Sequence, residues 1–136
     1  MYTYLLEKEI PQTYKNRGQH KEQKARYNLT GKINKADNIP FWVTADCNGI
    51  QIKSARATVC KGTDIVEHIT KDSARLYMYV CNDEQTAYIM SKSEYYRFCT
   101  LFSEQTTESP KNGGTIKTRL KKETRAMIAW LQSNTK

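Results

Sequence analysis

Asp46, Gln51 and Lys53 lie close together in sequence, and the residues between them are built to turn the chain. Asn48-Gly49 stands between the β-rich runs Phe41–Asp46 and Ile50–Ser54. Both turn residues tolerate positive φ, so the pattern predicts a tight hairpin. Side chains alternate across a strand, which puts Gln51 and Lys53 on one face and Ile50 and Ile52 on the other, the expected core side. The turn would return Asp46 beside the start of the second strand. An acid, an amide oxygen and a lysine gathered at one hairpin end are an inventory for metal-assisted phosphodiester hydrolysis. Oxygen ligands hold Mg²⁺ or Mn²⁺, the ion activates water and offsets charge on the phosphorane, and a lysine orients or deprotonates the water. An amphipathic hairpin with a solvated Lys53 fits the same spacing.

Other residues have two readings each. Ser54 and Arg56 continue the Lys53 strand and are candidates for phosphate contacts. His20 can touch phosphate or simply sit on a helix surface, and His68 is the only other histidine. Tyr95, Tyr96 and Trp130 can stack on bases, although at helical spacing such residues more often fill a core. Gly113-Gly114-Thr115 offers backbone N–H groups at a helix start, but lacks the spacing of a phosphate-binding loop.

The elements that must position these residues follow from pattern. Gly18 to Leu29 is helix-forming, with Gly31 as C-cap. Asn34 to Pro40 is a loop, the hairpin follows, and its second strand is expected to run on through Ala57–Cys60. Thr63 caps a short helix over Asp64–Ile69. Leu76–Cys81 and Thr86–Met90 are strands joined by Asn82–Gln85. Ser91 or Ser93 then caps a helix whose Tyr95, Phe98, Cys99 and Phe102 recur at i, i+3, i+4 and i+7. Glu104 to Gly114 reads as a polar loop, and Thr115 to Gln132 as a final basic helix with Ile116, Leu120, Met127 and Leu131 on one side. The order of helix, hairpin, short helix, two strands and two helices implies an α/β (α+β) fold. It has a mixed central sheet with flanking helices, as one domain over residues 1–136.

Composition narrows the partners. The 136 residues carry 22 Lys+Arg against 14 Asp+Glu, a net charge of +8. Residues 15–35 hold seven basic side chains, Arg17, Lys21 and Lys24 among them, against Glu22 alone, for a net of +6. Residues 105–136 hold seven, including Lys117, Arg119, Lys121 and Lys122, against two acids, for +5, while residues 36–104 sum to −2. Two basic flanks around a neutral-to-acidic centre point to a polyanion, because phosphate contacts release condensed counterions. The alternative is a solvated surface that maintains solubility. No apolar run approaches the ~18 residues of a membrane span, and the first residues carry no signal-peptide pattern. The four cysteines have no Cys-x-x-Cys spacing. Reduced thiols in a cytoplasmic protein are therefore expected.

At this point the residues resemble a family. Asp46 followed by Gln51-Ile52-Lys53 is similar to the core of the PD-(D/E)XK, or restriction-endonuclease-like, nucleases. That pattern places an Asp at one strand end and acid-x-Lys on the partner strand, with Gln51 here in the acid's place. Arg17-Gly18-Gln19-His20-Lys21-Glu22 resembles the family's preceding Lys/Arg-Gly-x-x-x-Glu helix, and the similarity spans roughly residues 17–103. The resemblance implies a Mg²⁺- or Mn²⁺-dependent DNA endonuclease of a mobile-element, restriction, repair or junction-resolving kind. In it Asp46, Gln51 and Glu22 are metal ligands and Lys53 is the water-orienting base or charge stabiliser. Arg17, Lys21, Lys24, Ser54, Arg56, Lys117, Arg119, Lys121 and Lys122 would grip DNA, with RNA the lesser expectation. One site per chain further implies a homodimer for cutting both strands. A nucleic-acid-binding protein with a degenerate metal site is the alternative, and a module facing an acidic protein is a third reading.

Overall fold

A computed structural model describes residues 1–11, 17–30, 49–54, 56, 58–61, 65, 66, 69, 74–107 and 116–136. Among them the chain forms β1 (Tyr2–Leu5), α1 (Arg17–Thr30), β2 (Ile50–Ser54), β3 (Thr58–Lys61), β4 (Leu76–Val80) and β5 (Thr86–Ser91). It continues with α2 (Lys92–Phe102), β6 (Ser103–Thr107), β7 (Ile116–Leu120) and α3 (Arg125–Ser133). The strands make two sheets, a four-stranded one in the order β1-β5-β4-β2 and a three-stranded one in the order β3-β7-β6. β2 runs parallel to β4, and the other pairs are antiparallel. The fold is mixed α/β.

β4 explains the layering. Its sequence Leu-Tyr-Met-Tyr-Val is β-prone throughout, and Tyr77 to Val80 are all buried, as a strand covered on both faces requires. Tyr77 and Tyr79 point into the larger core with Tyr88, Met90, Tyr95, Phe98, Leu120, Met127 and Leu131. Met78 and Val80 point the other way, into a smaller core with Leu6, Ala25, Ile52 and Ala87 under α1. The larger core is aromatic: Tyr77 and Tyr95 stack with centroids 4.1 Å apart, while Phe98 meets Tyr79 at 5.1 Å and Trp130 at 5.9 Å. α2 begins in a full capping box, Ser91 Oγ accepting from the Glu94 N–H and the Glu94 carboxylate accepting from the Ser91 N–H.

Several expectations fail here for identifiable reasons. The basic helix expected over 115–132 is a strand, β7, followed by a shorter helix, α3, capped by Thr124. Ile116, Thr118 and Leu120 alternate with Lys117 and Arg119 at the two-residue period of a strand, whereas Leu120 to Met127 spans seven residues and imitates a helix face. The polar run from Ser103 is a strand too, because pairing with β7 satisfies its backbone whatever its composition. β2 does not run on into β3: Arg56 takes φ +60°, and β3 joins the second sheet. β1 was not anticipated. The 41–46 strand of the expected hairpin lies outside the described residues, but Gly49 has the positive φ of 83° that the turn reading required.

Candidate nucleic-acid interface

β2 is fixed at its start by the Gly49 carbonyl, which accepts hydrogen bonds from the Arg75 N–H (2.8 Å) and the Leu76 N–H (3.4 Å). That docking sets the parallel register, with Gln51 beside Tyr77 and Lys53 beside Tyr79. Ile52 is buried under α1, so Gln51 and Lys53 project from the opposite face at the border of the aromatic core, both half-buried. The pair shares a face, as expected. Ser54 does not share it: it alternates with Lys53 and is 5% exposed on the α1 side, which removes it from a phosphate contact.

Glu22 stands on α1 one turn before Ala25, and Ala25 packs against Ile52. It therefore lies on the side of the sheet away from Gln51 and Lys53, and the described geometry does not bring the three together. Asp46 lies outside the described residues. Among the described residues no three His, Cys, Asp or Glu side chains converge as a metal would need. Gln51 contributes a single neutral oxygen there, so these residues do not by themselves fit a divalent cation, and the metal reading rests on Asp46.

The basic residues divide sharply. Lys21 and Lys24 are buried. Lys24 Nζ pairs with Glu9 at 2.7 Å, while Lys21 Nζ reaches Glu84 at 3.6 Å and Asn82 Oδ1 at 3.5 Å. Their aliphatic stems pack under α1 and their ammonium groups lock the N-terminal segment and the β4–β5 turn to the helix. They are structural, and the sequence-based view of them as a phosphate-gripping wall is corrected. The Arg17 side chain lies outside the described set. The second basic group behaves differently. Arg56 Nη2 and Arg119 Nε donate to the same oxygen of Glu104, at 3.2 and 3.4 Å. β6–β7 pairing sets Glu104 opposite Arg119, and the Arg56 turn swings its guanidinium to the same carboxylate. Lys117 alternates onto the Arg119 face, and Lys121 and Lys122 are exposed just beyond the strand. Two sequence-distant arginines thus converge around one acid, and among the described residues this face carries more basic than acidic side chains. Glu104 escaped notice in the sequence because it sits in an all-polar run, Ser103 to Thr107, whose strand character comes from pairing with β7.

One buried polar cluster is unsuited to chemistry. The Tyr79 hydroxyl lies 3.2 Å from a Glu123 oxygen and 3.6 Å from Met127 Sδ, and the same carboxylate accepts from the Asn82 N–H. Burial, reinforced by the Glu123 charge, pushes both the Tyr79 hydroxyl and the Cys81 thiol far above their usual ranges. A thiol so held is no nucleophile near neutral pH. The cluster anchors the segment before α3 to the β4–β5 turn. No family model, curated protein or solved structure matches this chain.

Proposed function

We propose that this chain binds DNA through the Arg56–Arg119–Lys117 surface and, with Asp46 joining Gln51 and Lys53, hydrolyses it as a Mg²⁺-dependent endonuclease. The observation that carries the reading is the common face of Gln51 and Lys53 on β2, three residues before the arginine that joins the basic sheet. Asp46 and Gln51 would hold the ion, which when bound supplies Lewis acidity and an activated water. Lys53 would orient that water or offset charge on the scissile phosphate. A cytoplasmic homodimer completes the proposal, since one site per chain cuts one strand at a time. Cys81 and Cys99, buried and outside any disulfide, suit a reducing compartment.

A second reading, binding without cleavage, draws support from Gln51 in the acid position and from Glu22 on the far side of the sheet. A cleavage assay on supercoiled and branched DNA with Mg²⁺ or Mn²⁺ separates the two. Loss of cutting in Asp46→Ala and Lys53→Ala supports the enzyme, and equal residual cutting by wild type and both variants overturns it. Either reading requires binding that weakens steeply with salt. Replacing Arg56 and Arg119 by Ala should flatten the log–log salt slope by about 2.

A further inference from the structure

The tyrosine pair Tyr95-Tyr96 is divided by the fold. Tyr95 is buried and stacked on Tyr77, whereas Tyr96 is half-buried and lines a cavity of about 370 Å³ with Val66, Ile69, Lys92 and Ser93. That volume falls at the low end of the ~300–1,000 Å³ typical of small-ligand pockets. We propose that this cavity is a nucleotide subsite, in which a base stacks on Tyr96 against Val66 and Ile69 while Lys92 and Ser93 meet its phosphate. The inference rests on the nucleic-acid reading above and gives it a place for a single nucleotide.

Position supports it. Ile50 registers with Leu76, and Leu76 with Ser91, so β2 starts at the end of the sheet from which α2 departs. Tyr95 stacks on Tyr77, the strand neighbour of Gln51, which places α2 over the face that carries Gln51 and Lys53. The start of α2, which supplies Lys92, Ser93 and Tyr96 to the cavity, therefore lies at the same end of the sheet and over the same face as the Gln51–Lys53 pair. The cavity lining has the composition of a nucleotide site: an aromatic ring backed by the core, two aliphatic side chains, a lysine and a serine. Among the described residues, the carboxylate next to Ser93, Glu94, is paired with the Met1 α-ammonium at 2.8 Å.

The test is calorimetric titration of the full chain with deoxyadenosine 5′-monophosphate, with duplex DNA titrated in parallel. Saturable nucleotide binding is expected, at least tenfold weaker for unphosphorylated deoxyadenosine. Tyr96→Leu, which keeps an apolar wall but removes the ring, should weaken it at least tenfold. Ser93→Glu sets a negative charge at an exposed position in the first turn of α2, where a carboxylate favours the helix, and should abolish it with the melting temperature unchanged. No saturable binding to wild type at millimolar nucleotide, or binding unaffected by Ser93→Glu, overturns the proposal. If duplex DNA still binds with a steep salt slope in that event, the subsite fails and the broader reading survives; if neither ligand binds, both fail.

Discussion

The two faces of the four-stranded sheet are covered by opposite strategies. Toward α2 and α3 the sheet buries Tyr77, Tyr79, Tyr88 and Met90 against Tyr95, Phe98, Met127 and Leu131. Toward α1 it buries smaller side chains, Ile52, Met78, Val80 and Ala87, against a helix whose own buried residues are mostly polar: His20, Lys21, Gln23 and Lys24 alongside Ala25. One face is held by apolar area and ring packing, the other by a thin apolar layer sealed with ion pairs. A net-charge reading cannot tell these uses of lysine apart. Lysines on α1 count toward the basic flank yet fasten the helix down, while Lys117, Lys121 and Lys122 lie outside the two cores.

If the aromatic face carries most of the stability, its centre should be the most sensitive position. Phe98 is fully buried and touches Tyr79, Tyr95, Phe102 and Trp130. Phe98→Ala should cost about 3–5 kcal/mol in chemical denaturation. Ile52→Val, on the α1 face, should cost only ~0.5–1.5 kcal/mol. Equal losses at the two positions would break the contrast.

The same face should be the alkaline-sensitive one. The Tyr79 hydroxyl and Cys81 thiol titrate above their unfolded values, so the native state holds protons that the unfolded chain releases. Their stabilisation is fully present below about pH 9, the unfolded thiol's range, and is lost as pH rises. Above that range the unfolded chain gives up protons that the native state keeps, so stability falls with rising pH. Cys81→Ala should flatten the alkaline limb of a stability-versus-pH curve and leave the neutral value less changed.

At the margin of that core, Glu94 accepts from the Ser91 N–H and pairs with the Met1 α-ammonium, and its hydrogen bonds and that ammonium hold its pKa below the usual 4.5 despite the opposing effect of burial. The stability it supplies is present above that value and is lost as pH falls through the depressed one. Glu94→Ala should cost roughly 1–2 kcal/mol at neutral pH, the range of a lost cap with a partly exposed ion pair. The deficit should shrink at acid pH, below the lowered pKa, as the wild-type carboxylate protonates.

The distribution of what sequence could anticipate follows from these mechanisms. α1, β4, β5 and α2 were readable because their patterns are local: Leu76 to Val80 is a short β-prone apolar run, and Ser91 with Glu94 announces a helix start. β6 and β7 were not, because Ser-Glu-Gln-Thr-Thr carries no apolar alternation and becomes a strand only by pairing with β7. Of the candidate site, the shared face of Gln51 and Lys53 is strand geometry and was foreseeable. The separation of Glu22 from them depends on which side of the sheet α1 packs, a tertiary fact. The burial of Ser54 follows from the alternation that exposes Lys53.

The smallest expected effect, that of Lys24→Met, bears most directly on the polar face. Lys24 is nearly fully buried and its partner Glu9 is 70% exposed, so the pair draws little from low dielectric while Lys24 still loses its hydration. Glu9→Ala removes the partner and leaves the ammonium facing whatever water reaches it, a loss of roughly 1–2 kcal/mol, below the ~3–5 kcal/mol of breaking a fully buried pair. Lys24→Met keeps the stem's packing and removes the charge, and should be neutral or slightly stabilising in the same denaturation experiment. A large loss in Lys24→Met would mean that the ion pair, and not the aliphatic stem, holds α1 to the sheet. The near-neutral outcome leaves the lysine's charge serving to fix where the 7–11 segment crosses the helix, with the apolar layer beneath supplying the energy.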